Sequence, residues 1–129
     1  MTVDDVMTRD VQTCRPETDL SKVAMQMQQG DCGVLAVVAP SGEVVGMVTD
    51  RDICMAAAIK HCDPAGIRVS EVISGNVYAC SPDAEIHTAL NIMRQKHVRR
   101  LPVVTAEGGK LVGILSMNDV ELLPAPPLL

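Results

Sequence analysis

The stretch GMVTDRDI at residues 46–53 returns later in the chain as GILSMNDV at residues 113–120. Each stretch has a glycine, two apolar residues, a hydroxyl side chain and, three positions after the hydroxyl, an aspartate. The match extends outward: residues 6–53 correspond to residues 72–120, with an offset of 66 positions that becomes 67 after a one-residue insertion. An internal repeat of this length predicts two copies of one supersecondary unit, each of which buries its apolar face on the other.

Each copy begins with an extended segment and an amphipathic helix. The extended segments, residues 11–14 and 77–80, each lie just before a proline, which favours strand or turn over helix. Apolar residues then recur at helical spacing: Leu20, Val23, Ala24 and Met27 in the first copy, and Ile86, Ala89, Leu90 and Met93 in the second. This spacing is typical of a helix with one buried face.

Two apolar strands and a second helix complete each copy. The strands are predicted at residues 34–39, 44–48, 101–105 and 111–115. Glycine-containing turns separate the two strands of each pair. Thr49 and Ser116 then favour a helix start, because a hydroxyl N-cap with an acidic residue three positions later forms a capping box. The predicted fold class is α/β (α+β), with tandem β-α-β-β-α repeats packed with pseudo-two-fold symmetry.

The repeat boundaries predict a single module over residues 1–129. We assign the first repeat to about residues 3–59, a linker to about 60–71, the second repeat to about 72–123 and a C-terminal tail to 124–129. A chain of this length is large enough for one core that is built from two half-sized units.

Composition and charge exclude several partner classes. Phe and Trp are absent and Tyr78 is the single aromatic residue, whereas proteins that bind single-stranded nucleic acid stack the bases on aromatic side chains. The formal charge of -5 also opposes binding to a phosphate backbone. The longest apolar runs, residues 34–39 and 53–59, are too short to span a membrane. We therefore expect neither a nucleic acid nor a membrane as partner.

The cysteines and histidines indicate a reduced setting and no metal site. Five cysteines cannot all pair and no leader sequence precedes Met1, so we expect a cytoplasmic protein. No two cysteines have the C-x-x-C spacing of a zinc site. Cys14 and Cys80 occupy equivalent positions in the two copies and are interpreted as small hydrophobic residues on matching strands. No catalytic thiol is indicated either, so the chain is not predicted to be an enzyme.

The second helix of the first copy is unusually apolar. Residues 53–59, ICMAAAI, present apolar side chains on nearly every face, and such a helix must be buried all round. Two small repeats offer few places to bury it. We therefore predict a homodimer through the helices that follow the two aspartate motifs, with burial in an internal core as the alternative.

Taken together, these motifs resemble a cystathionine-β-synthase (CBS) domain pair, or Bateman module. The resemblance rests on DVMT at residues 5–8, on RRLPVV at residues 99–104 and on the doubled Gly-h-h-Thr/Ser-x-x-Asp-h motif, in which h is an apolar residue. It covers about residues 3–123 and is greatest to small, stand-alone bacterial members. The resemblance implies a nonenzymatic regulatory sensor, without a required cofactor. Its ligand would be AMP, ADP or ATP, or alternatively S-adenosylmethionine or NAD, in the cleft between the repeats.

The resemblance also implies which residues form two nucleotide sites. Each site would combine the aspartate motif of one repeat with segments of the other, the aspartate taking the ribose hydroxyls and the hydroxyl residue facing the phosphates. One site would use Thr49, Arg51 and Asp52 with Ser74, Val77, Val98 and Arg99. The other would use Ser116, Asn118 and Asp119 with Thr8, Val11, Cys32 and Gly33.

The two sites are expected to differ in strength. Arg99 favours anionic ligands in the first site because a guanidinium pairs bidentately with phosphate, whereas Gly33 occupies the equivalent position in the second. Arg94 and Arg100 are interpreted as part of a solvated helix face. The alternative function is a ligand-independent dimerisation or docking module for a partner enzyme or transporter, in which the two motifs are helix caps alone.

Overall fold

The computed structural model describes residues 1–73 and 77–121. Ser74 and the tail at residues 124–129 lie outside the described residues. The elements are α1 (Val3–Val6), β1 (Thr13–Cys14), α2 (Leu20–Gly30), β2 (Val34–Val38), β3 (Val44–Thr49), α3 (Asp50–Lys60), α4 (Ile86–Lys96), β4 (Arg100–Val104), β5 (Leu111–Ser116) and α5 (Met117–Glu121). Single turns of 3-10 helix at Pro64–Gly66 and Val69–Glu71 lie between α3 and α4.

The two repeats form two small sheets with matching pairing. In the first sheet β1 is parallel to β2, and β2 is antiparallel to β3. In the second sheet β4 and β5 are antiparallel. Cys14 pairs with Val37 in β2, and Cys80 forms a single parallel bridge with the equivalent Val103 in β4. The predicted α+β fold is therefore confirmed, with the extended segment at residues 77–80 reduced to one bridge.

Both amphipathic helices end at a residue in the left-handed conformation. Asp31 caps α2 with φ 49°, and His97 caps α4 with φ 56°. At its other end α2 begins after Asp19, whose carboxylate accepts a hydrogen bond from the Lys22 N–H at 3.0 Å. Hydrogen bonds from the Ser21 hydroxyl and from this N–H hold the pKa of Asp19 below its ordinary value. Each of these helices therefore ends at a left-handed residue, after which the chain continues into the first strand of the pair, β2 or β4.

The N-terminal segment of the first repeat and the predicted linker before the second repeat each pack in the core of the other half. Val3 and Met7, at the start of the chain, are buried in the core of the second repeat with Leu101 and Leu115. In the same way, the predicted linker at residues 60–71 packs on the core of the first repeat, where Ile67 and Val69 are buried. Each core is therefore completed by a segment that the sequence pattern places either in the other repeat or in the linker.

Equivalent backbone hydrogen bonds hold the two exchanged segments. The Val3 N–H donates to the Ala84 carbonyl at 2.9 Å, and the Val69 N–H donates to the Thr18 carbonyl at 2.9 Å. Val69 and Thr18 are the positions 66 residues away from Val3 and Ala84. This agreement shows that the pseudo-two-fold symmetry includes the exchanged segments as well as the sheets and helices.

The motif glycines allow the exchanged segments to approach the sheets. A Cβ at Gly46 in β3 would lie 2.9 Å from Cδ1 of Ile73, and a Cβ at Gly113 in β5 would lie 2.8 Å from both Sδ of Met7 and the carbonyl oxygen of Thr8. Thr8 and Ile114 exchange two backbone hydrogen bonds of 2.9 Å at this point. The close packing between the two halves thus requires a glycine at the first position of the repeated motif.

Candidate functional site

One cavity, which we name cavity one, contains most of the first predicted site. It has a volume of about 480 Å³ and is lined by residues of both repeats. The predicted residues that line it are Thr49, Arg51, Val77, Val98 and Arg99. Cavity one therefore brings the N-terminus of α3 together with the segment that leads into β4.

A second cavity, named cavity two, contains most of the other predicted site. Its volume is about 430 Å³. The predicted residues that line it are Thr8, Val11, Cys32, Gly33, Ser116 and Asp119. Cavity two therefore joins the N-terminus of α5 to the segments that lead into β1 and β2, as the pseudo-symmetry requires.

The aspartates of the two motifs act as helix caps at the edges of the cavities. The Asp52 carboxylate accepts a hydrogen bond from the Thr49 N–H at 2.9 Å, and the Thr49 hydroxyl accepts one from the Asp52 N–H at 3.1 Å. The Asp119 carboxylate likewise accepts from the Ser116 N–H, at 3.3 Å. Asp52 is not among the residues that line cavity one, whereas Asp119 does line cavity two. A reciprocal capping box thus fixes Thr49 at the start of α3, whereas at α5 the Ser116 hydroxyl accepts from the Asn118 N–H at 3.2 Å instead.

Arg99 connects cavity one to the helix that borders cavity two. Its guanidinium donates to Oδ1 of Asn118 at 3.1 Å and lies 3.9 Å from the Glu121 carboxylate. Its backbone carbonyl accepts a hydrogen bond from the Met117 N–H at 2.7 Å. Asn118, expected in the second site, is absent from the residues lining cavity two and contacts Arg99 instead.

Several residues that line the cavities were not predicted from the sequence. Asp50, Tyr78, His97 and Arg100 line cavity one, and Asp10, Gln12, Asp31 and Arg100 line cavity two. Arg100 is the first residue of β4, so its interpretation as part of a helix face is wrong, whereas Arg94 is exposed on α4. Arg100 and Val34 are equivalent under the offset of 66, and both line the two cavities. Neither was predicted as a site residue, so the offset alone did not identify Arg100.

The apolar helix α3 is largely exposed in the isolated chain. Ala56 is its one buried residue, while Met55 is 47% exposed and Ile59 is 69% exposed. A third, open cavity of about 620 Å³ lies against α2 and α3, lined in part by Met27, Ile53 and Cys54. The alternative, in which this helix lies in an internal core, is therefore wrong for a single chain, and the dimer face stays a prediction.

The cysteines differ sharply in environment. In the part of the chain that the structure describes, no group of three or more His, Cys, Asp or Glu side chains is placed to hold a metal ion. Cys14 and Cys80 are buried, and burial raises the pKa of each thiol to about 11. Cys54 and Cys62 are exposed. Cys14 and Cys80 are therefore expected to be unreactive, whereas Cys54 and Cys62 are accessible to reagents.

Alkylation should distinguish these thiols. At pH 8 the folded chain is expected to react with iodoacetamide at Cys54 and Cys62, because the thiolate is the nucleophile and a raised pKa suppresses it at Cys14 and Cys80. In denaturant all five cysteines should react. Peptide mass spectrometry before and after unfolding measures this. Reaction of Cys14 or Cys80 as fast as Cys54 in the folded chain would contradict their burial.

Fold and cavities define a class: a two-repeat α+β module with ligand-sized cavities where the repeats meet. The family model for the CBS domain matches residues 3–59 and 69–121, nearly the whole chain. The chain therefore belongs to the CBS domain family, as a tandem pair. Within residues 1–73 and 77–121, every helix is too short or too polar to cross a lipid bilayer.

Curated relatives cover most of this chain. The CBS domain-containing protein YhcV of Bacillus subtilis is 34% identical over 93% of this chain and 83% of its own length. Hypoxic response protein 1 of Mycobacterium tuberculosis is 30% identical over 92% of this chain and 82% of its own length. An uncharacterized protein of Methanopyrus kandleri is 30% identical over 93% of this chain, which spans 61% of that relative.

Solved structures share the fold. Hypoxic Response Protein I, solved with two coordinated zinc ions, superposes with a TM-score of 0.84 at 30% identity over 96% of this chain and 100% of its own. A CBS domain pair in complex with 5′-methylthioadenosine and S-adenosylmethionine has a TM-score of 0.84 at 21% identity, over 94% and 93%. A hexameric CBS-CP12 protein from bloom-forming cyanobacteria has a TM-score of 0.83 at 25% identity, over 95% and 67%.

Proposed function

We propose that this chain is a nonenzymatic sensor that binds adenosine nucleotides in cavity one. AMP, ADP and ATP are the ligands that the site favours, ahead of S-adenosylmethionine and NAD. The observation that carries the proposal is the convergence of a capped helix N-terminus at Thr49 with Arg51, Arg99 and Arg100 around a single cavity. The fold neighbour that was solved with adenosine-containing ligands supports the same ligand class.

The chemistry of cavity one suits a nucleotide. The N-terminus of α3 carries a partial positive charge, which favours a phosphate nearby. Guanidinium groups add charge-assisted hydrogen bonds to the same anion. Val77 and Val98 supply an apolar surface for the adenine. Asp52 caps α3 beside Thr49 without lining the cavity itself, and we propose its carboxylate as the acceptor for ribose hydroxyls that reach that helix end. A volume of about 480 Å³ also lies within the range of small-molecule sites.

Binding would regulate by shifting a conformational equilibrium. A ligand that contacts both repeats stabilises one relative arrangement of them, and only such differential affinity shifts an equilibrium. We place the sensor in the cytoplasm, in keeping with five free cysteines. The alternative, a docking module for a partner enzyme or transporter, needs no ligand in cavity one.

Replacing Arg99 should weaken AMP binding. Arg99→Gln removes one guanidinium that lines cavity one, and we expect the Kd for AMP to rise by about tenfold, since hydrogen bonds to charged groups contribute about 1.5–3 kcal/mol. Arg94→Gln makes the same charge change on the exposed face of α4 and should alter the Kd by less than about twofold. Isothermal titration calorimetry measures both.

Two outcomes bear on the alternative function. Equal effects of Arg99→Gln and Arg94→Gln would show that AMP binds elsewhere. A wild-type chain that binds none of AMP, ADP, ATP, S-adenosylmethionine or NAD at millimolar concentration would favour the docking module.

We also propose that the sensor is a homodimer through α3 and α5. The support is the apolar exposed face of α3, which includes Met55 and Ile59, and the oligomeric state of the hexameric neighbour. Ile59→Asp places a charge on this face and is expected to shift the dimer towards monomer by at least about tenfold in the dissociation constant. Light scattering coupled to size exclusion measures the mass.

Met25 provides the matched control for the dimer. It is another exposed apolar residue, at 59%, and lies on α2, outside both helices, so Met25→Asp should leave the mass unchanged. An unchanged dimer in Ile59→Asp, or a wild-type monomer at high concentration, would reject this face.

A further inference from the structure

The two pseudo-symmetric cavities carry opposite charge. The charged residues that line cavity one are Asp50, Arg51, Arg99 and Arg100. Those that line cavity two are Asp10, Asp31, Arg100 and Asp119. Arginines therefore dominate the first cavity and carboxylates the second, although the repeat brings matching backbone segments to both.

Two pairs of equivalent positions account for much of this reversal. His97 in cavity one corresponds to Asp31 in cavity two, and both residues adopt the left-handed conformation that ends a helix. Arg99 corresponds to Gly33, where a Cβ would lie only 3.1 Å from the Asp50 carboxylate. Cavity two thus has no counterpart to the guanidinium of Arg99, and it has a carboxylate in place of an imidazole.

The single cation that lines cavity two is shared with cavity one. Among the described residues, Arg100 is the one Lys, Arg or His side chain on the wall of cavity two, and it also lines cavity one. A phosphate in cavity one competes for it. Asp10 and Asp31 form no ion pair within the described parts of the chain, so their charges are not neutralised by a neighbouring cation.

We infer that the two cavities divide adenosine ligands by charge: cavity one takes phosphorylated nucleotides, and cavity two takes an adenosine derivative with a neutral or cationic 5′ group. This inference rests on the proposed adenosine sensor and specifies the ligand of its second site. A phosphate in cavity two meets the carboxylates of Asp10 and Asp31, whereas a 5′ ammonium or sulfonium group is attracted by them.

Three probes with one nucleoside test the division. AMP, adenosine and 5′-amino-5′-deoxyadenosine differ only at the 5′ position, which carries an anionic phosphate, a neutral hydroxyl and a cationic ammonium group respectively. In calorimetry at pH 7 and low salt, AMP should bind once per chain, and the amino nucleoside should bind alongside it without competition. Arg99→Gln should weaken AMP alone. Asp31→Asn, in which asparagine tolerates the left-handed conformation, should weaken the amino nucleoside alone, by about three- to tenfold.

A second variant keeps the test independent of any effect on folding. Asp31→His installs the residue that already occupies the equivalent left-handed position in α4, so the backbone conformation is known to accept it. This variant should reduce binding of the amino nucleoside and raise the affinity of cavity two for AMP.

The outcomes separate this inference from the proposed function. If AMP fills both cavities with equal affinity, or if Asp31→Asn leaves the amino nucleoside unaffected, the charge division is wrong and the nucleotide sensor stands. If none of the three probes binds, the charge division is wrong, and titration with ADP, ATP, S-adenosylmethionine and NAD then decides the proposed function separately.

Discussion

Val3→Asp is expected to destabilise the second half of the molecule, although Val3 begins the first repeat in the sequence. Val3 is 0% exposed and packs in the core that contains Leu101 and Leu115. A carboxylate at this position is buried without a partner, so the free energy of unfolding should fall by on the order of 4 kcal/mol. Denaturant unfolding measures the loss, and hydrogen exchange locates it in β4 and β5.

Met25→Asp is the control for this experiment. The same charge is introduced at a side chain that is 59% exposed on α2, and the unfolding free energy should change by less than about 1 kcal/mol. Undiminished amide protection in β4 and β5 of the Val3→Asp chain would contradict the exchange of segments between the cores.

Gly113→Ala should be the more damaging of two equivalent substitutions in the repeated motif. The new Cβ would lie 2.8 Å from the Thr8 carbonyl oxygen, a backbone atom that accepts a hydrogen bond from the Ile114 N–H and can move only if that bond is disturbed. Gly46→Ala meets the end of the Ile73 side chain, which can rotate. We expect losses of about 2–3 kcal/mol for Gly113→Ala and about 1 kcal/mol for Gly46→Ala.

A third glycine provides the baseline for these two. Gly66 has no atom within 4 Å of an added Cβ, so Gly66→Ala should be neutral or stabilising by up to about 1 kcal/mol. Chemical denaturation of the three variants ranks them. A Gly113→Ala chain as stable as the wild type would show that β5 and the Thr8 segment are not in close contact.

The two strand pairs and the helices that follow the extended segments and the aspartate motifs were predictable from the sequence, whereas α1 and the exchange of segments were not. Each β-strand pair lies within a residue or so of its prediction, because alternation and turn residues are local signals. Val3 and Val69 lie in short segments with no periodicity of their own. Which core they complete depends on how the two repeats face each other, and local patterns do not contain that information.

The residues of the candidate site were likewise predictable only in part. The repeat and the family resemblance predicted Thr49, Val98 and Arg99, which line one cavity. Arg100 was missed because β4 begins one residue earlier than predicted, which moves this side chain from the preceding segment to the sheet edge between the cavities. Asp31 was missed because its position in the sequence indicates only the end of a helix. Its place on the wall of cavity two follows from tertiary packing.

The most direct test of the central claim is a crystal structure of the chain grown with AMP. The proposal predicts one nucleotide per chain in cavity one, with its phosphate at the N-terminus of α3 beside Thr49 and Arg99, its ribose hydroxyls on Asp52 and its adenine against Val77 and Val98. An empty cavity one at millimolar AMP, or AMP bound in cavity two alone, would contradict it.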